Sequence, residues 1–334
     1  MPDSRLNEAE RPLQHSFMKR PVFNGLLMAA AVAAAYLPIR ALPARRPLPP
    51  AVAALRYQPV QISAVTGPLR LSGAWQLTVA DPRFSGISSL AIDRGRFLAV
   101  SDRGSVARFD MPGTRYPQAW VADLRDGPGP WGRKWSRDAE SLVADPRGRG
   151  WWIGYEQHHS LWLYDRGLTR AFAGIDLDRP DWWDNRGAEG LLADKQGLLV
   201  TAENGREVLR VRPNRIERIV LHASTDVAEA ATAPDGSFWL LLRSKGRQGI
   251  SQSISPLLKV RSEFRAGPVM PLPKGPFDNF EGMAIEPRQG GGWRFWLISD
   301  DGHRFMARTL LVALDYMPPA RHDKSPAASA GPSK

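Results

Sequence analysis

The chain has 334 residues, no cysteine, 43% hydrophobic and 24% charged side chains, the balance of an ordinary globular protein. The missing thiols exclude disulfide frameworks, thiolate zinc sites, iron–sulfur clusters and cysteine nucleophiles. The formal net charge of +11 sits mostly in the flanks: residues 57–317 hold 34 basic and 30 acidic groups without a Lys/Arg run, which argues against a nucleic-acid partner.

In chain order, Lys19 and Arg20 come first, followed by an alanine-rich apolar stretch over residues 22–37 broken only by Asn24 and Gly25. A positive region followed by an apolar one is the pattern of an export signal, so residues 1–44 are expected to be a signal peptide or signal anchor. Ala41 and Ala44 offer small residues for cleavage, whereas Arg40, Arg45 and Arg46 fit an uncleaved anchor in the inner membrane through residues 22–37. Either outcome places the body in the periplasm or another extracytoplasmic space. Residues 45–56, rich in Pro, Ala and Arg, are expected to form a flexible linker. The polar tail 318–334 has almost nothing to bury and is expected to be disordered.

The body, residues 57–317, repeats itself. SSLAID at Ser88 recurs as ESLVAD at Glu140, EGLLAD at Glu189, EAATAP at Glu229 and EGMAIE at Glu281, with spacings of 52, 49, 40 and 52 residues. Each copy runs through a turn into a second apolar run, ending at Asp102, Glu156, Glu203, Arg243 and Asp300, and then into a third. Short Val-, Ile-, Leu- and Trp-rich runs bounded by turn residues are strands. Four strands per copy at this period describe an all-β protein, a β-propeller of five blades. LRLSGAWQLTV, residues 69–79, precedes the first copy and is expected to supply the missing last strand and close the ring. A sixth, degenerate blade using residues 57–66 is the alternative.

Equivalent repeat positions in a propeller lie at equivalent heights around its axis. The five first positions are Ser88, Glu140, Glu189, Glu229 and Glu281, and the second strands end at four carboxylates and Arg243. Carboxylates gathered in this way raise one another's pKa unless a cation neutralises them. The candidate metal ligands are therefore Glu140, Glu189, Glu281, Asp102, Glu156, Glu203 and Asp300, and Glu229 is expected to be solvated or paired with Arg243. An all-oxygen set suits calcium first and magnesium second. Cations follow the second strands at Arg103, Arg206, Lys245 and Arg304, as binding an anionic, phosphate-like group would need. His303 is a candidate acid near the same mouth, and no G-x-S-x-G elbow supports a serine triad. Trp182 and Trp183 fall in a loop where exposure would let them grip a substrate. The strand tryptophans are expected to pack between blades.

GISSLAIDRGRFLAVSDRG, RDAESLVAD, NRGAEGLLAD with TAENG, and DNFEGMAIEPRQGGGWRFWLISDDGHRFMARTLLVALD resemble segments of the bacterial family labelled "esterase-like activity of phytase", over about residues 69–316. The resemblance implies an exported β-propeller that hydrolyses phosphoesters or esters, with calcium-dependent propeller phytases as the mechanistic parallel. Carried over residue by residue, it points to Glu140, Glu189, Glu281, Asp102, Glu203 and Asp300. The chain departs from the family pattern in its fourth copy and at His303, where members often carry Asn.

The expectation is thus a metal-dependent phosphoester hydrolase acting on a small anionic ester, with Glu189 or Glu281 as general base. Its rivals are a non-catalytic propeller that docks a protein or envelope component, and a metal-dependent lactonase or carboxylesterase.

Overall fold

A computed structural model describes residues 46–62, 65, 67–129, 136–179, 182, 187–247, 249–272, 279–303 and 308–318. The chain divides into Met1–Ala44 and Arg45–Lys334, and every described residue belongs to the second unit. The expected signal segment and tail lie outside the described residues, apart from Pro318. Among the described residues there are 22 strands and no α-helix.

Two strands precede the repeats, β1 (Ala51–Pro59) and β2 (Leu69–Val79). The first copy gives β3 (Ile87–Asp93), β4 (Arg96–Ser101), β5 (Ser105–Phe109) and β6 (Gln118–Asp123), hydrogen-bonded in that order. The second gives β7 (Ala139–Ala144), β8 (Gly150–Tyr155), β9 (Ser160–Asp165) and β10 (Ala171–Asp176). The third gives β11 (Ala188–Asp194), β12 (Gly197–Ala202), β13 (Glu207–Arg212) and β14 (Arg215–His222). In the fourth come β15 (Asp226–Thr232), β16 (Phe238–Gly246), β17 (Gly249–Val260) and β18 (Glu263–Ala266), with the short β19 (Met270–Pro271) paired to β17. The last copy supplies β20 (Phe280–Pro287), β21 (Trp293–Ser299) and β22 (Leu310–Tyr316), and β2 pairs antiparallel with β22.

The first strands of the copies pack on one another in order, β3 on β7, β7 on β11, β11 on β15, β15 on β20 and β20 on β3. One apolar cluster fills each gap between neighbouring groups. Phe97 meets Trp296 edge-on at 5.1 Å between the first and last groups, and Trp239 meets Phe295 at 5.0 Å between the fourth and last. The expected packing role of the strand tryptophans holds for Trp151, Trp152, Trp239 and Trp296, all buried. This all-β stack of antiparallel sheets is a β-propeller architecture.

The linker expected over residues 45–56 needs correction. Residues 51–56 belong to β1, which pairs with both β2 and β6 and so joins the last group to the first. The prolines sit at positions 47, 49, 50 and 59, at the borders of the strand, and leave its interior free to pair. Residues 57–59 are therefore part of this bridge. A parallel pairing of β14 with β18 joins the third and fourth groups in a similar way.

Candidate functional site

Every inner strand carries a bulge near its start, where the register against its neighbour slips by one residue. The extra residue is Ser88, Glu140, Glu189, Ala228 or Glu281. A bulge turns its unpaired residue out of the ladder, which brings three glutamates to one end of the ring. The fourth position is not Glu229 as expected: Val227 pairs with Leu242 and Glu229 with Leu241, so Ala228 occupies the bulge. The alanine-rich VAEAAT offers no apolar contrast from which to read that register, and pairing with β16 sets it.

Asp138, Glu140 and Glu156 bring one carboxylate oxygen each to within 4.8 Å of one another. Asp138 and Glu156 are buried, and Glu140 is half-buried. Burial, then the neighbouring Asp138 carboxylate, then Glu189 and Glu281, push the Glu140 carboxyl well above its ordinary value. Glu189 is driven in the same direction, by burial first and by Glu156 next, against the partial relief of Arg243. The sequence reading missed Asp138. Its signal was available in RDAESLVAD, two positions before the bulge glutamate, where the last copy places Asn279.

Across from this cluster the protein supplies its own cation. Arg243, 4% exposed, donates from Nη2 to Glu203 Oε1 at 3.0 Å and from Nη1 to Glu281 Oε1 at 2.6 Å. Its Nη1 also reaches Asn279 Oδ1 at 3.1 Å, and Asn279 Nδ2 donates to the same Glu281 oxygen. Burial opposes the charge on Arg243, but Glu189, Glu281 and Glu203 outweigh it and hold the guanidinium protonated. Arg243 thus pairs with Glu203 and Glu281, not with Glu229. Lys245 Nζ lies 3.6 Å from Glu203 on the same strand, with its side chain 57% exposed.

Asp102 and Asp300 are placed differently from the other acids. His303 Nε2 stands 2.6 Å from Asp102 Oδ1, and its Nδ1 stands 2.8 Å from Ser85 Oγ. Asp300 accepts from the Gly302 amide in its own turn at 2.6 Å. The neighbouring Asp301 reaches across, accepting from Ser85 Oγ at 2.7 Å, Gly86 N at 2.9 Å and Thr309 Oγ1 at 3.0 Å. Burial would raise the Asp301 carboxyl, and these bonds with the His303 amide more than offset it and lower it. This network ties the first group to the last. Arg103 and Arg206 are exposed on loops beside the acidic end, while Arg304 and Trp183 lie outside the described residues. Trp182 does not project to solvent as expected; it is 7% exposed, and its indole donates to Glu207 Oε1 at 2.7 Å.

Glu229 lies one layer inside the bulge ring, 1% exposed. Ser89 Oγ donates to its Oε2 from the first group, and the Ala230 amide donates to its Oε1 at 2.8 Å. Burial raises the carboxyl well above its ordinary value despite these bonds. A carboxyl raised in the folded state contributes stability that is complete below the unfolded pKa of about 4.3 and is lost as pH rises through the folded value. Glu229→Gln is therefore expected to melt near the wild type at pH 4 and progressively above it toward pH 8. A gain in melting temperature that is the same at both pH values would count against the buried acid.

The description "esterase-like activity of phytase" of the phytase-like family matches residues 82–303. No curated protein matches the sequence. Among solved structures, hydrazine synthase of Kuenenia stuttgartiensis is 12% identical with a TM-score of 0.38, over 64% of this chain and 56% of that one. Glutaminyl cyclase of Myxococcus xanthus is 12% identical with a TM-score of 0.46, over 77% of this chain and all of that one (100%). The WD40 domain of Neurospora crassa Pan2 is 9% identical with a TM-score of 0.38, over 77% and 98%. None of the three bears on chemistry. With the family description covering two thirds of its length, and the bulge glutamates falling inside that span, the chain belongs to the phytase-like family.

Proposed function

We propose that the chain is an exported, metal-dependent phosphoester hydrolase on a five-bladed propeller closed by β2. The observation that carries this reading is the close approach of Asp138, Glu140 and Glu156 opposite a buried arginine. The charge pattern of residues 19–37 supports export, and the ring of inner-strand contacts with the β2–β22 pairing supports five blades.

Asp138, Glu140 and Glu156 would hold a hard divalent cation, calcium first and magnesium second, for which an all-carboxylate donor set is suited. Such an ion, when bound, polarises a phosphoryl oxygen and makes water a better nucleophile. Glu189, kept basic by its burial, takes the proton of the attacking water. Arg243 and Lys245 bind non-bridging phosphate oxygens, with Arg103, Arg206 and Arg304 as outer contacts. Glu281, fixed by Arg243 and Asn279, orients the guanidinium rather than moving a proton. Asp102, held by His303, acts in the same supporting way.

The test uses chelator-stripped protein, a chromogenic phosphomonoester and the matching carboxylic ester, with calcium or magnesium added back. Phosphoester turnover should return with the ion, and its melting point should rise by the equivalent of about 2.7 kcal/mol at a hundredfold excess over the dissociation constant. Glu140→Gln with Glu156→Gln should lose both the rate and the ion-induced shift. Undiminished turnover in that variant would sink the assignment. Cleavage of the carboxylic ester alone would move the protein to the lactonase or carboxylesterase reading.

A further inference from the structure

A groove of about 630 Å³ lies between the first two groups of strands, lined by Asp93, Arg94, Arg96, Arg108, Asp145 and Arg166 together with Trp151 and glycine backbone. It is at the far end of the strands from the bulges. Asp93 pairs with Arg96 at the turn of the β3–β4 hairpin, whereas the bulge lies beside the Ile87–Ser101 pair at its open end. Six residues of strand, roughly 20 Å, separate the two ends. The volume is that of a small-ligand site.

Four guanidinium groups face two carboxylates in this lining, and the carboxylates are already engaged. Asp145 is held by Arg149, which lies outside the groove, through Nε and Nη2 at 2.9 Å each, and by the Trp152 indole at 2.9 Å. Asp93 stands 3.6 Å from Arg108 and 4.0 Å from Arg94, serving two cations at once. Arg96 has its carboxylate partner in Asp110, at 2.8 Å. Arg108 stacks over Trp120 at 5.8 Å, which fixes its plane, and its Nη2 donates to the Arg166 carbonyl. Desolvation, with Arg94 and Arg96 adding to it, lowers the Arg108 pKa against the pull of Asp93. A surplus of like charge around a concave surface is relieved by an anion, and planar guanidinium groups favour tetrahedral oxyanions through paired N–H donors.

We propose that this groove binds a phosphate-class oxyanion, a phosphomonoester or free phosphate, at a site separate from the carboxylate cluster. Arg94 and Arg166 are exposed and close on the ligand from solvent, while Arg108 forms the fixed inner wall. The site does not depend on the hydrolase reading, since none of its arginines belongs to the carboxylate end.

The test is calorimetric titration of the full chain at low salt with inorganic phosphate and with glycerol 3-phosphate, and flotation with phosphatidic acid or phosphatidylcholine vesicles. Saturable binding should weaken at least tenfold in Arg94→Ser with Arg166→Ser, two exposed changes that spare the fold, and survive in Glu140→Gln. It should fall linearly on a logarithmic salt scale. Vesicle capture that needs Arg94 and Arg166 and phosphatidic acid identifies a lipid headgroup as the source; capture of the soluble ligands alone identifies a free one. No saturable binding of either kind, or binding lost in Glu140→Gln and kept in the double arginine variant, overturns the proposal.

Discussion

Replacing Arg243 with methionine is expected to cost about 3–5 kcal/mol of stability at pH 8, the scale seen when one partner is removed from a buried ion pair. The guanidinium bridges Glu203 and Glu281 and also lowers the pKa of Glu189, so its loss leaves three carboxylates to repel one another. The sign of the pH dependence follows. Glu189 is already raised above its ordinary value, and withdrawing Arg243 raises it further, so stability is retained at low pH and lost as pH rises through the folded value. The deficit of Arg243→Met should therefore be small at pH 5 and full at pH 8 in melting experiments. Millimolar calcium should recover part of it by supplying a replacement positive charge. A deficit independent of both pH and calcium would mean that Arg243 serves as packing and not as the resident cation.

The second large effect is steric. Gly190 follows the bulge glutamate of the third copy, where β11 packs closely on β15. A Cβ added there would fall 2.5 Å from Ala230 Cβ and 2.8 Å from the Ala230 amide. Backbone cannot yield as a flexible side chain can, so β11 and β15 would have to separate. Gly190→Val should therefore cost at least about 3 kcal/mol, the upper range for overpacking a core, and should reduce soluble yield. Gly236→Ala is the control, a turn glycine with open space around it but a positive φ of 83°, where a milder loss is expected. Equal melting of Gly190→Val and the wild type would contradict the close approach.

The repeat was legible in the sequence because each copy states its strands locally, as apolar runs cut by Gly, Asp and Pro. The three bulge carboxylates, Glu140, Glu189 and Glu281, were legible for the same reason. Register was not legible where that contrast fades: in VAEAAT five of the six residues are too small or too similar to mark which one leaves the ladder, and Glu229 was read one step out of place. Convergence between copies was also hidden. His303 joins Asp102 through a distance that depends on how the first and last groups stack, whereas Asp138 joins Glu140 and Glu156 within one copy, once the β7–β8 pairing is known. β1 escaped notice because its flanking prolines look like a tether until its two hydrogen-bonding partners are known.

The lateral pairings divide the ring unevenly. β1 stitches the last group to the first, and the β14–β18 pair stitches the third to the fourth, whereas β10 pairs with no strand but β9 among the described residues. The second group, which carries Asp138, Glu140 and Glu156, is thus the one sheet joined to its neighbours by no strand pairing among the described residues. If the ring breathes, it breathes there, like an arch whose one unmortared stone is also the one bearing the clasp. An ion seated on those three carboxylates would then brace that sheet from within as well as serve as reagent, coupling the loading of the site to the rigidity of the least-tied part of the circle.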